Sequence, residues 1–249
     1  MNRKLFSLLP VLFLSTFFFG ACDDADFLPC IRPSGPIVEE AVFTQEFDAI
    51  NLAMHASVSV NYGPENTVTI LAPSNILQYI NICSKGGILN ITNSRCLRTK
   101  LNDVRIIITT PELSGLRMAG SGMIDLESEF SGEELTLEIA GSGNISMNEI
   151  NYAHIKSLIS GSGNIHLKGQ STSQQIQLSG SGKVNAFSLS SEEAFVRISG
   201  SGSVSVHVSR FMDARISGSG NIYYTGSPGL NINISGSGQI NHVDTEMIR

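Results

Sequence analysis

Apolar and polar residues alternate in short runs along most of this chain, at the period of two that marks a strand with one buried face. The runs keep step with the tripeptide Gly-Ser-Gly, whose first glycines are Gly120, Gly141, Gly161, Gly180, Gly200, Gly218 and Gly236, separated by 21, 20, 19, 20, 18 and 18 residues. Two residues before each stand Met118, Ile139, Ile159, Leu178, Ile198, Ile216 and Ile234; four after it stand Ile124, Ile145, Ile165, Val184, Val204, Ile222 and Ile240. Six after it come Leu126, Met147, Leu167, Ala186, Val206, Tyr224 and His242. A period near twenty with fixed apolar columns predicts a solenoid, each coil holding a strand, a Gly-Ser-Gly corner, a second strand and a looser return.

Stacking such coils about 4.8 Å apart pairs every strand with its copies above and below in parallel register, and turns each column into an apolar ladder inside the solenoid. Seven coils extend over roughly 30–35 Å at that spacing. Glycine suits the corner because it adopts positive φ and lets successive backbones approach, and the serine between can satisfy polar groups of the turn. The next column reads Met123, Asn144, Asn164, Lys183, Ser203, Asn221 and Gln239. Asparagine tolerates a left-handed corner, and stacked amides can hydrogen-bond along the solenoid.

The first half carries the same alternation without the glycines, over residues 43–47, 50–62, 68–71, 77–83, 88–91 and 104–109, broken by turn signals at Gly63-Pro64, Pro73-Ser74-Asn75, Gly86-Gly87 and Pro111. These runs read as irregular coils or a β-rich cap continuous with the solenoid, with a separate small domain as the alternative. At the other end His242 interrupts its column, and Asp244, Glu246 and Arg249 make a polar finish expected to protect the last open strand edge.

The N-terminus reads differently. Arg3 and Lys4, an apolar stretch over residues 5–19, then Gly20-Ala21 before Cys22, form a secretion signal. It resembles a bacterial lipoprotein signal, with Phe19 where a leucine is usual; the resemblance makes Cys22 the lipid-attachment site and first mature residue. Asp23-Asp24-Ala25-Asp26 is similar to an acidic tag for export to the cell surface, and the proline-rich stretch to residue 37 reads as a tether. The expected division is therefore 1–22 signal, 23–37 tether, 38–242 β-helix domain (38–115 irregular coils, 116–242 repeats) and 243–249 tail. The expected location is the envelope, lipid-anchored at the outer membrane and exposed at the surface.

A net charge of −6 argues against nucleic acid, and no stretch after residue 22 reaches the eighteen apolar residues of a membrane helix. In an export compartment the remaining cysteines, Cys30, Cys83 and Cys96, favour pairing. Cys83 with Cys96 would close a short loop around Gly86-Gly87, although spacing alone leaves the pairing open.

Catalytic, metal and cofactor residues are expected to be absent. Around Gly180-Ser181-Gly182-Lys183-Val184, Gln177 and Val184 occupy positions where a phosphate loop needs glycine and Ser/Thr. Calcium-binding β-rolls need Asp after the glycines, where this chain has Asn, Lys, Ser or Gln. The five histidines fall in different columns, and the outward column five after the glycine holds one acid, Asp125. Three residues before the glycine the outward column reads Arg117, Glu138, Leu158, Gln177, Arg197, Arg215 and Asn233. Arg197 and Arg215 on adjacent coils, with Gln177 beside them, form the candidate ligand face, suited to carboxylates or sulfates of an acidic glycan. The plain alternative is a solvated face whose arginines pair with Glu192 or Glu193.

The string Ile-Ser-Gly-Ser-Gly-Asn-Ile at residues 159–165 and 216–222, with Phe47-Asp48-Ala49-Ile50 and the strand at 104–111, resembles the family called putative auto-transporter adhesin, head GIN domain, over roughly residues 40–240. The resemblance implies a right-handed single-stranded parallel β-helix, similar in outline to pectin lyases without their catalytic residues, and a role in adhesion. The drift of the spacing from 18 to 21 also favours a right-handed over a tight left-handed coil. The expectation is an all-β, lipid-anchored, non-catalytic adhesion or structural module for glycans or surface proteins, with no cofactor, able to associate through open strand edges. Its rivals are a carbohydrate-active enzyme on the same helix and a scaffold facing the periplasm.

Overall fold

The computed structural model describes residues 29–244; the N-terminal segment with Cys22, and the tail from residue 245, lie outside the described residues. In chain order the strands are β1 (Ile37–Val42), β2 (Ala49–Leu52), β3 (Ser57–Tyr62), β4 (Thr67–Pro73), β5 (Ile80–Lys85), β6 (Ile88–Asn93), β7 (Arg105–Thr110), β8 (Gly115–Gly120) and β9 (Met123–Leu126). They continue as β10 (Phe130–Gly141), β11 (Asn144–Gly161), β12 (Asn164–Gly180), β13 (Lys183–Gly200), β14 (Ser203–Gly218), β15 (Asn221–Thr225), β16 (Gly229–Gly236) and β17 (Gln239–His242). A single turn of helix, α1 (Ser74–Leu77), follows β4.

The chain is a parallel β-solenoid. Residues leading into the corners form a first face, stacking β6, β2, β8, the ends of β10 to β14, and β16. Residues leaving the corners form a second face, stacking β7, β3, β9, the starts of β11 to β14, β15 and β17. Corner stands on corner: Gly120, Gly141, Gly161, Gly180, Gly200, Gly218 and Gly236 are in one register. The inward columns are the predicted ones, with Ile139, Ile159, Ile198, Ile145, Ile165 and Val204 all buried. Each such side chain is stacked on its equivalents one strand spacing away, so solvent reaches the core only at the ends of the stack.

The two glycines of each corner answer to different constraints. Gly161 has φ of 131° and its Cβ would run into the carbonyl oxygen of Gly141 on the coil below. Gly163 needs no unusual φ; its Cβ would stand 2.5 Å from Cγ2 of Ile139 and 2.8 Å from the Gly143 oxygen. The backbones are drawn together by hydrogen bonds such as Ser162 N–H to Gly141 O at 2.9 Å and Asn164 N–H to Gly143 O at 3.0 Å. Of the two purposes expected of asparagine after the corner, the left-handed one is not used, because no described residue other than glycine has positive φ. Its side chain stacks: Asn164 Nδ2 donates to Asn144 Oδ1 at 2.8 Å.

The return is more regular than the sequence suggests. Phe130, Ile150, Gly169 and Leu189 form a paired row, and β11 to β14 run unbroken from one corner to the next. Register shifts at Met147/Ile150, His166/Lys168 and Ala186/Ser190 explain why this third face escaped the alternation, since a bulge moves the inward side chains off the period of two.

At the N-terminal end the first coil of the chain is the second of the stack. β2 and β3 are inserted between β6 and β7 on one side and β8 and β9 on the other. Beyond β6 and β7 the ladders turn antiparallel, with β5 on β6 and β4 on β7, and β1 outermost on β4. Cys30 is bonded to Cys96, which corrects the expected Cys83–Cys96 pair; Cys83 lies exposed on β5. The reason is local pairing: Ile31 bridges Leu97, with Ile31 N–H to Cys96 O at 2.9 Å and Arg98 N–H to Ile31 O at 2.8 Å. Residues 30–36, expected to be tether, are thereby fastened to the domain.

Candidate binding surface

Outward side chains on the first face make two parallel columns beside the corners. The inner column is Ser160, Ser179, Ser199, Ser217 and Ser235; the outer is Glu138, Leu158, Gln177, Arg197, Arg215 and Asn233. Short serines beside longer side chains leave a trough of about 510 Å³ along the solenoid axis, floored by the stacked backbone of the buried Ile and Leu column. Both columns exist because strands of period two are held in register by the corners.

The candidate face predicted from sequence lies in this trough, with Gln177 paired to Arg197 and Arg197 to Arg215 in adjacent strands. The two arginines differ. Arg215 Nε stands 3.1 Å from Asp213 Oδ1, and Asp213 also accepts from Asn231 Nδ2 at 2.6 Å. Arg197 has no ion pair among the described residues. Glu192 and Glu193, the partners offered by the plain alternative, are taken by Arg210 at 3.4 and 3.0 Å. At the far end Glu138 is engaged by Arg117 at 3.7 Å. The cationic character of the trough therefore rests on Arg197, since the other charges in its column have partners of opposite sign.

Phe195 was missed by the sequence reading. It lies two residues before Arg197, on the same outer face, 38 % exposed and 6.3 Å from Phe211 between ring centroids. With Gln175, Gln177 and Arg197 it lines a hollow that adjoins the trough. Its signal was the alternation itself, followed one outward position further from the corner. An exposed aromatic face beside an unpaired guanidinium suits a ligand with both an anionic group and an apolar surface.

Other surfaces offer less. A hollow of about 630 Å³ near the N-terminal end is rimmed by Glu46, Asp48, Glu65 and Glu112, but no group of three metal-binding side chains occurs among the described residues. A polar groove of about 540 Å³ on the return face is lined by Ser131, Asn151, Gln170, Ser190 and their neighbours. Inside the wall beside it Gln174 Nε2 donates to Ser191 Oγ and that hydroxyl to His207 O, both at 2.7 Å, while Gln174 Oε1 and Ser157 Oγ find no partner.

A nucleophile with a base is approached at one point, where Ser173 Oγ lies 2.8 Å from His154 Nδ1 and Glu133 Oε1 lies 3.9 Å from Nε2. Both the histidine and the acid are more than half exposed, and the acid is beyond hydrogen-bond distance, so the pair lacks the hydrogen bond from base to orienting acid that an activated serine uses. Asp125, the one acid of its outward column, has its pKa raised by burial and by the charge of Glu127. It stands between Ser59 and Ser146, with no second carboxylate in that row of the ladder.

Known proteins place this surface in context. A putative adhesin from Bacteroides fragilis has a similar structure, with a TM-score of 0.81 and 23% sequence identity, the match covering 86% of this chain and 100% of the other. A putative lipid binding protein from Parabacteroides distasonis is similar at a TM-score of 0.74 and 27% identity, and a putative adhesin from the same species at 0.71 and 21%, each over 86% of this chain and 100% of the other. No curated protein matches the sequence. The model of one family matches residues 46–228, a stretch that contains six of the seven corners and the whole cationic part of the trough, and the chain belongs to that family, the putative auto-transporter adhesin, head GIN domain.

Proposed function

We propose that the protein is a lipid-anchored binding module of the bacterial envelope, held at Cys22, that takes up an anionic ligand along the trough of the first face and performs no chemistry on it. One observation carries the reading: Arg197 is the cation of the trough without a carboxylate partner among the described residues, set between a row of serine hydroxyls and an exposed phenyl ring. A long shallow trough with repeated weak donors binds by many contacts along an extended chain, and affinity then grows with ligand length. Adhesion, the role for which the family is named, is that kind of binding. An acidic polysaccharide is the first candidate.

A second reading shares the chemistry. The trough is lined more by apolar than by polar surface, which also suits the phosphate and upper acyl chain of an anionic lipid, and a relative is described as a putative lipid binding protein. The test is to incubate residues 23–249, without the N-terminal lipid, with polygalacturonate and, separately, with phosphatidylglycerol vesicles, scoring retention and chain cleavage. Retention of the polysaccharide without products supports the first reading, and retention on vesicles alone the second. Release of oligosaccharides would overturn both in favour of an enzyme.

A further inference from the structure

The two ends of the solenoid are finished in different ways. At the N-terminal end the outermost strands carry charge, Glu39 and Glu40 on β1 and Lys85 on β5, as edges protected against foreign strands do. At the C-terminal end β16 pairs with β14 on one side and with no strand among the described residues on the other. Leu230, Ile232 and Ile234 stand in the inward columns yet are 44, 45 and 41% exposed, with no further coil over them among the described residues. Of the polar finish expected there, His242 lies on the second face, its Nε2 3.0 Å from Gly226 O, while Glu246 and Arg249 lie outside the described residues. Neither β16 nor β17 contains a charged residue other than that histidine, and neither contains proline.

The sequence of this edge is complementary to itself. If β16 meets a second β16 antiparallel about a two-fold axis through Ile232, Leu230 faces Ile234 of the copy, Ile232 faces Ile232, and Asn231 faces Asn233. All apolar residues then fall on the inner side, extending the core ladder across the junction, and the amides fall on the outer side where they can pair. The flanking charges agree. Asp213 stands beside Asn231 and Arg215 beside Asn233, so each row that begins with Asp213 of one protomer ends with an arginine of the other. A head-to-tail stacking of copies would set β16 on β5, the outermost first-face strand, which runs antiparallel to β6 and does not continue the parallel ladder of β14 and β16.

We propose that the C-terminal end of the solenoid is a homodimer interface, formed by antiparallel pairing of β16 with β16 of a second copy. The interface is isologous and closes on itself, so it produces dimers and not fibres. It joins two solenoids tail to tail into a rod of roughly 80 Å, given coils spaced about 4.8 Å apart, with the N-terminal ends at opposite extremes. Asn233 and Ser235 of β16 also end the trough, so the pairing is read from mass and not from ligand binding.

Sedimentation equilibrium of the full-length protein in density-matched detergent is expected to give twice the protomer mass, and Ile232→Lys to give the single mass with an unchanged β-sheet circular dichroism spectrum. A single mass for the wild type at every concentration, or a doubled mass that survives in folded Ile232→Lys, overturns the proposal. Should Ile232→Lys fail to fold, a variant carrying Asn231→Cys and Asn233→Cys in a Cys83→Ser background decides, because both positions are outward. Mild oxidation is expected to convert most of it to a disulfide-linked dimer, and an unlinked chain after oxidation contradicts the register.

Discussion

At Gly120 and Gly161 the same residue in the same motif carries different burdens. Both have positive φ, 141° and 131°, but a Cβ on Gly120 meets nothing within 4 Å whereas one on Gly161 strikes the carbonyl of Gly141. Gly120→Ala is therefore expected to cost the backbone term alone, about 1–3 kcal/mol, and Gly161→Ala clearly more, because a coil must shift to admit the methyl. Denaturant unfolding of the two variants measures the difference, and equal losses would mean that stacking plays no part in the choice of glycine.

Asp125 lends itself to a second test at the same scale. Its carboxyl is raised above the ordinary aspartate value of 3.8 by burial and by Glu127, so the folded state holds this proton more tightly than the unfolded chain does. The stability it contributes is complete below pH 3.8 and is lost as pH rises through the higher folded value. Asp125→Asn is thus expected to melt above the wild type at pH 7, with the gap closing as pH falls toward 3.8. A gap of the same size at both ends of that range would assign the effect to something other than ionisation.

Among the elements, the two stacked faces and the corner between them were legible, and the return and the N-terminal pairings were not. The columns at Met118 to Ile234 and Ile124 to Ile240 announce strands because the corners keep the alternation in phase from coil to coil. The return was hidden by bulges that change the phase in mid-strand. The insertion of β2 and β3 into the middle of the N-terminal stack leaves no local trace, since any alternating strand can pair with any other. The disulfide shows the same limit: a short loop favoured Cys83 with Cys96, whereas a bridge from Ile31 to Leu97, distant in sequence, decides for Cys30. That bond closes a separation of 66 residues and fastens the entry segment to the N-terminal cap. Cys30→Ser is expected to cost about 2–4 kcal/mol in denaturant unfolding, and Cys83→Ser close to none. A comparable loss from Cys83→Ser would contradict the pairing.

On the scale of the whole molecule, a repeat that specifies its own architecture leaves recognition to side chains the repeat does not constrain. The trough exists because of the corners, yet its chemistry comes from the irregular column of Leu158, Gln177, Arg197 and Arg215, of which the sequence disclosed the members and not their partners. Only the ion pairs Arg215–Asp213 and Arg210 with Glu192 and Glu193 single out Arg197. The central claim is that this trough binds an anion and that Arg197 grips it. It is tested most directly by titrating polygalacturonate, or phosphatidylglycerol vesicles if these are what the protein retains, into wild type, Arg197→Glu and Arg105→Glu. Loss of a charge-assisted contact worth about 1.5–3 kcal/mol predicts at least a tenfold weaker Kd for Arg197→Glu and little change for Arg105→Glu, which lies on β7 of the second face. Equal affinities for wild type and Arg197→Glu would contradict the account.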